Sequence, residues 1–343
     1  MIKNKSLDEI VKNKELNERF ISAKLDGLGI ECNILQGNFF ADTYSYFPIT
    51  ENFDAFNDLY HWQSPGASNH FFTKDFYDDF KKNINNYKTI EDVYLLGSSF
   101  VDNYYTNLIF FLPRLFFNNE DEIKLAVHRS LSNKFKEYIL KVGSLLQKKI
   151  TFVFLDNGMY KFKNSSIPQF INKKKSIEIL RNFSKSQTEK VEQGTKLYVS
   201  RQNTNYRSIV NESDLIYFLK DQGFEIINPY NYKINRQFKI FASAEIIISP
   251  TGSNLANIIF CKKGTKIIEI GPDLRNSIQE KKYSKICELL NFNYFKINAD
   301  TVNVDHHSSV ALKYINKQIL EKSSYYKNLI VKISDIKNFI ANN

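Results

Sequence analysis

The 343-residue sequence has only three cysteines, Cys32, Cys261 and Cys287. An odd number so widely spaced reads as neither a disulfide framework nor a zinc site. Long apolar runs are missing too. The longest, Leu108 to Phe117, is broken by Pro113 and Arg114 and falls short of the roughly 20 residues that span a bilayer. The opening MIKNKSLDEIVKNKELNERF is polar and charged, without the apolar stretch of a secretory leader. These absences predict a cytoplasmic protein. No Gly-x-Gly-x-x-Gly occurs, which argues against a dinucleotide-binding dehydrogenase. Short repeats and low-complexity tracts are also absent. The basic runs stop at Lys173-Lys174-Lys175, too little to mark a nucleic-acid surface.

What remains is an ordinary globular composition, 43% hydrophobic and 24% charged, which excludes disordered and fibrous chains. At roughly 150 residues per domain the length predicts two domains. The net charge of +10 is uneven. Residues 1–175 carry +2 and residues 176–343 carry +8. A basic C-terminal half predicts an anionic ligand there, such as a phosphate, or contact with an anionic membrane surface. The 29 Phe and 20 Tyr read as large aromatic cores.

Hydrophobic patterning predicts an alternating α/β chain. A charged helix is expected near Leu7 to Lys24, then aromatic strand or loop material. Glu91–Ser98, Ile123–His128 and Ile150–Leu155 read as buried strands, with helices over 104–117, interrupted at Pro113, and over 131–142. The polar stretch 161–175 reads as a linker, followed by a helix over 176–190. Beyond it, strands KLYVS (196–200), FEIIN (224–228), EIIIS (245–249) and KIIEI (266–270) alternate with helices, and a long helix closes the chain. Such alternation predicts parallel sheets covered by helices.

Open parallel sheets bind ligands beyond the carboxyl ends of their strands. That rule selects Ser200 and Arg201 after KLYVS, Pro250, Thr251, Gly252 and Ser253 after EIIIS, and Glu269 near the end of KIIEI. The loop 249–253 leads into a helix, whose first amides would suit a phosphate, with Gly252 permitting close approach and Thr251 and Ser253 adding hydroxyls. Read structurally, the same loop is a strand-to-helix turn capped by Ser253. Arg201 and Arg207 flank the loop SRQNTNYR. Guanidinium forks suit a diphosphate, or either could pair with Glu212 or Asp214. Glu269 reads as a ribose acceptor or as a paired structural carboxylate.

Taken in order, these residues resemble glycosyltransferase family 61. The match is carried by Ser200-Arg201, Arg207, Asn211-Glu212, Gly223-Phe224, Gln237, Phe241 and Ala244. It continues through Thr251-Gly252-Ser253-Asn254-Leu255-Ala256-Asn257, Phe260, Gly264 and Ile268-Glu269-Ile270. Asn103-Tyr104-Tyr105, followed by Leu112-Pro113-Arg114-Leu115, echoes a helix of that family. Two positions depart from it: Thr106-Asn107 stands where many members have His-Trp, and Thr251-Gly252-Ser253 where many have His-Gly-Ala.

The resemblance implies a GT-B fold, two Rossmann-like domains facing across a cleft. Residues 1–170 would form the acceptor-side domain with an N-terminal extension, and 171–343 the nucleotide-sugar domain with a C-terminal helix. It implies an inverting, metal-independent glycosyltransferase moving a hexosyl or pentosyl group from a UDP-linked donor to a glycan or lipid-linked glycan. The bacterial branch of the family acts in capsule, lipopolysaccharide and other surface polysaccharide synthesis. That places the chain in the cytoplasm, peripheral at the inner membrane face or in a polysaccharide assembly complex, with no nucleic-acid partner and no cofactor. The donor would meet Ser200, Arg201, Arg207, Pro250, Thr251, Gly252, Ser253, Asn254, Asn257 and Glu269, and the acceptor Asn103, Tyr104 and Tyr105. The alternative is a non-catalytic member of the fold that binds a nucleotide sugar or glycan.

An inverting transfer needs a base on the acceptor and positive charge on the leaving diphosphate. No apolar strand followed by Asp-x-Asp is present to hold a metal. The charge is therefore expected from Arg201, with Lys262 or Lys263 beside it. Asp102 and Asp156, each after a strand, are the candidate bases, with His128 a third. Each also has a plain reading: Asp102 as a helix cap, Asp156 as a turn residue and His128 as a buried histidine. His306-His307 read as surface or capping residues, and His61 and His70 take no role.

Overall fold

Segments 30–42 and 49–56 are rich in aromatic and apolar residues and joined by short turns, which favours antiparallel pairing. The computed structural model describes residues 1–6, 9, 18–56, 69–97, 101–202, 204, 207–274, 281–302 and 324–342. The chain divides into two compact units, Met1–Ile179 and Leu180–Asn343.

The first unit is built on one ten-stranded sheet. Its strands are β1 (Lys3–Lys5), β2 (Phe20–Leu25), β3 (Ile30–Asp42), β4 (Ile49–Thr50), β5 (Asp54–Phe56), β6 (Lys88–Glu91), β7 (Tyr94–Leu95), β8 (Glu122–His128), β9 (Lys149–Leu155) and β10 (Met159–Pro168). The path runs β1-β5-β4-β3-β10-β7-β8-β9, with β2 on β3 and β6 on β10. Strands β10, β7, β8 and β9 are parallel. Strands β2 to β5 and the β3–β10 pair are antiparallel. The sheet is therefore mixed, where the alternating pattern had predicted a parallel one.

Two further expectations are corrected. The stretch expected as a linker from residue 161 is largely β10, an interior strand. Tyr160, Phe162 and Ile167 enter the core, while Lys161 and Lys163 point outward to Glu51 (3.0 Å) and Glu91 (3.1 Å). The helix expected over 7–24 gives way at Phe20 to β2, whose Ala23 is buried against β3; residues 7, 8 and 10–17 lie outside the described ones.

Helix α1 (Lys74–Asn83) starts at Thr73, whose hydroxyl accepts the Phe76 N–H. Helix α2 (Tyr104–Thr106) passes into a π turn over Asn107–Phe111 and a 3-10 stretch over Leu112–Phe117. Pro113 has no N–H to continue an α ladder, which accounts for the predicted break. Helix α3 spans Asn133–Leu145 and α4 spans Lys173–Thr188.

The second unit follows the predicted alternation. Its elements are β11 (Thr195–Val199), α5 (Glu212–Asp221), β12 (Phe224–Ile227), α6 (Ile234–Ala242), β13 (Ala244–Pro250), a 3-10 helix over Ser253–Phe260, β14 (Lys266–Gly271), α7 (Lys281–Leu290) and β15 (Asn293–Asn298). The order β12-β11-β13-β14-β15 is parallel throughout. Ile247, Ile248, Ile267, Ile268 and Ile270 are fully buried, the signature of strands covered on both faces. Most of the stretch expected as a long closing helix, residues 303–323, lies outside the described residues; around it stand β16 (Asp300–Val302), β17 (Asn328–Ile330) and the ten-residue α8 (Ile333–Asn342). No helix among the described residues is long and apolar enough to cross a membrane.

Candidate functional site

Strands β11, β13 and β14 are parallel neighbours, so their carboxyl ends share one edge. Ser200 and Arg201, Thr251 and Gly252, and Gly271 emerge there. Ser200 is buried, its N–H donating to Ile227 O at 2.8 Å and its Oγ accepting from the Gln202 N–H at 3.3 Å. Arg201 is 5% exposed. Its backbone N–H donates to Glu212 Oε1 at 3.4 Å, and the Tyr198 hydroxyl donates to the same oxygen at 2.7 Å. Glu212 thus meets Arg201 through the main chain and fixes the chain leaving β11.

Gly252 is needed for space. Its φ of 173° is ordinary extended backbone. A Cβ there would lie 1.7 Å from Arg201 Nη1 and 2.6 Å from Cζ. The close approach predicted at this glycine is therefore made by the protein's own guanidinium. The Gly252 carbonyl accepts from the Tyr283 hydroxyl (2.5 Å) and from the Leu255 N–H (3.0 Å). Gly252 also takes the N-cap position, leaving Ser253 as the first helical residue and not the cap. Ser253 and Asn254 are half-buried at that helix start. Asn257 is fully buried and ties the first turn by donating from Nδ2 to Asn254 O at 3.1 Å. Pro250 is buried as the last residue of β13.

Thr251 does not present its donors as expected. Its N–H extends the sheet to Ile270 O at 2.7 Å, and its hydroxyl is hydrogen-bonded to the Glu269 carboxylate. Glu269 also accepts from the Tyr294 hydroxyl at 2.8 Å. Burial pushes the Glu269 carboxyl up from its ordinary value, opposed by Thr251, Tyr294, Lys296 and Arg207. A raised folded pKa means the native state holds the proton longer than the unfolded chain. Its contribution to stability is then full below the unfolded value and is lost as pH rises through the folded one. Wild-type melting temperature should fall over that window, and Glu269→Gln should flatten the fall. An identical pH profile for the two proteins would refute this account.

Arg207 is buried at φ 57° with its guanidinium 4.1 Å from the Tyr325 ring centroid. Its charge is also felt at Glu269. Lys262 is removed from the expected cluster. It follows the 3-10 helix that begins at Ser253, so it lies at that helix's far end, donating to the carbonyls of Val191 and Glu189. Lys263 is exposed beside it.

The first-unit candidates are a separate set. Asn103 caps α2, its Oδ1 accepting the Thr106 N–H at 3.0 Å, so the capping alternative for Asp102 falls to its neighbour. Asp102 is half-buried in the turn before it. Tyr105 is buried edge-on to Phe110, and Tyr104 stands edge-on to Phe135 and Tyr138. Tyr105 is thus packed in the core of the first unit. Thr106 and Asn107 are also buried.

Asp156 is exposed and paired with Arg129 at 2.7 Å. The hydrogen bond from that guanidinium holds its carboxyl below the usual range, the wrong direction for a base. His128 Nδ1 accepts the Ser130 N–H at 3.1 Å, so the proton sits on Nε2, which faces Asn157 Oδ1 at 2.9 Å. Both nitrogens are engaged. Arg114, in the Leu-Pro-Arg-Leu segment, is fully buried. It donates to Gly97 O (3.0 Å) and Pro168 O (2.7 Å) and lies 3.7 Å from the Phe170 ring centroid; burial pulls it down to about 10. His61, His306 and His307 and the His70 side chain lie outside the described residues.

Tyr283, Tyr294 and Lys296 were not anticipated. Tyr283 lies in a charged helical segment and Tyr294 and Lys296 on the last parallel strand, and only the pairing of β14 with β15, Glu269 opposite Lys296, brings that strand to the site. Among the described residues no group of His, Cys, Asp and Glu gathers as a metal ligand set. A family model described as Glycosyltransferase 61 matches residues 64–268, more than half of the chain. No curated protein matches it.

Proposed function

The chain belongs to glycosyltransferase family 61, and from that premise we propose that it moves a sugar, with inversion, from a nucleotide-sugar donor to a hydroxyl of a glycan or lipid-linked glycan. The observation that carries the donor site is the buried Arg201 guanidinium seated on Gly252, at the carboxyl edge of the parallel sheet and the start of a helix. A planar fork at that place suits a diphosphate. Ser253 and Asn254 stand at the helix start beside it, where amides favour phosphate oxygens. Arg201 would stabilise the charge growing on the leaving diphosphate, with no metal needed.

The base in this proposal is Asp102, which adjoins the Asn103-Tyr104-Tyr105 segment assigned to the acceptor, while the exposed Asp156 is paired with Arg129. Base and donor then come from different units, the division of labour of a GT-B enzyme. A UDP-linked donor, a hexosyl or pentosyl group and a cytoplasmic role in bacterial capsule, lipopolysaccharide or other surface polysaccharide synthesis complete it. The excess positive charge suits a peripheral position at an anionic membrane face. The engaged Asp156 and His128 favour a second reading, a non-catalytic member that binds nucleotide sugar; product formation separates the two.

The test is a thermal titration with a panel of nucleoside diphosphates. A ligand at 100 times its Kd stabilises by about 2.7 kcal/mol, a resolvable shift. One diphosphate should raise the melting temperature of the wild type and not of Arg201→Ala. Absence of a shift with every diphosphate removes the donor site.

A further inference from the structure

Tyr283 has no part in the reading above. It stands on α7, is 2% exposed, and its hydroxyl donates to the Gly252 carbonyl at 2.5 Å. In a trans peptide the carbonyl and the following N–H point in opposite directions, and no cis peptide occurs among the described residues. Holding the Gly252 oxygen therefore holds the Ser253 N–H, directed out of the helix start. The missing side chain of Gly252 is the seat of Arg201: Nη1, Cζ and Nε stand 1.7, 2.6 and 3.0 Å from where its Cβ would be. The seat of Arg201 and the peptide that carries the Ser253 N–H thus meet at Gly252, whose carbonyl is held by the Tyr283 hydroxyl as well as by the Leu255 N–H of its own helix.

We propose that Tyr283 is a positioning residue for nucleoside diphosphate binding: through Gly252, its hydroxyl sets where the Arg201 guanidinium and the Ser253 N–H stand. The ligand in this statement rests on the donor-site reading; the coupling of Tyr283 to Arg201 does not. Phenylalanine keeps the buried ring, and the Leu255 N–H still bonds the Gly252 carbonyl at 3.0 Å. Tyr283→Phe therefore removes the clamp without leaving a buried acceptor unpaired.

Two measurements test it. Rotation of the Arg201 guanidinium, followed by NMR in the full-length protein without ligand, should be several-fold faster in Tyr283→Phe. Calorimetry with the nucleoside diphosphate that stabilises the wild type should show Kd raised about fivefold, the worth of one hydrogen bond. Donor kcat/KM should fall by at least the same factor, because Arg201 also serves the leaving diphosphate, while the melting temperature drops by no more than a few degrees, a pairing that general loosening of the fold would not give. Gly252→Ala, whose methyl takes the place of Nη1, should exceed Tyr283→Phe in both readouts and serves if the phenylalanine variant folds poorly. An unchanged rotation rate overturns the inference, whether or not nucleotide binds. Faster rotation with an unchanged Kd overturns the role in binding. A wild type that binds no nucleoside diphosphate overturns the donor-site reading and the ligand assigned here.

Discussion

Arg201→Ala lowers kcat/KM by about two to three orders of magnitude, the usual cost of removing one preorganised donor from a developing anion. That is about 3–4 kcal/mol of transition-state stabilisation. The loss is large because the guanidinium is almost out of solvent and fixed before the ligand arrives, seated where Gly252 has no side chain. Lysine should recover little, since an ammonium presents no planar fork. Alanine keeps the backbone N–H contact from residue 201 to Glu212, and folding of the variant is read from its melting curve. Steady-state kinetics with the donor, alongside a melting curve, makes the measurement. Activity within threefold of wild type in a folded variant removes Arg201 from the leaving-group role.

Asp102→Asn is the second large effect. Loss of a general base costs about 10²–10⁴-fold, and the asparagine side chain keeps the size and turn preference of the aspartate. The loss should fall on kcat, with donor KM little changed, because Asp102 belongs to the unit that does not carry Arg201. Asp156→Asn is the matched control: its carboxylate is already committed to Arg129, so its removal should leave turnover near wild type. If the two variants exchange these outcomes, the base is Asp156 and the Arg129 pair opens during the reaction.

The second unit was legible in the sequence because its strands are fully covered. KLYVS, EIIIS and KIIEI are short apolar runs bounded by turn residues, and their order along the chain alternates with helices. The rule that ligands meet strand carboxyl ends then placed Arg201 and Thr251 on one edge without any contact information. The first unit resisted for a specific reason. In β10, Tyr160 and Phe162 point inward, and then Ser165 and Ile167 do. The parity changes because the register with β3 shifts between Phe162 and Ser165, where Asn164 has φ 45°. A bulge adds one residue and reverses the alternation, so a test for period two sees only polar, basic chain. The site was misread where direction mattered. Lys262 is close in sequence to the loop at Thr251, but eight helical residues separate the two ends. Tyr283 carries no local signal, because its partner is a carbonyl 31 residues away.

The antiparallel joint of β3 and β10 also shapes how the protein is made. Residues 34–42 pair with 159–168, so one edge of β3 waits for a partner more than a hundred residues downstream. At about 5–20 residues per second, the ribosome takes on the order of ten seconds to deliver it. During that interval β2 and β4 cover only the other edge of β3, and Leu35, Phe39 and Phe40, all buried in the finished unit, lie along an open ladder. The nascent chain therefore carries an apolar strand edge early and closes it late. The slower the chain elongates, the longer that edge stays open.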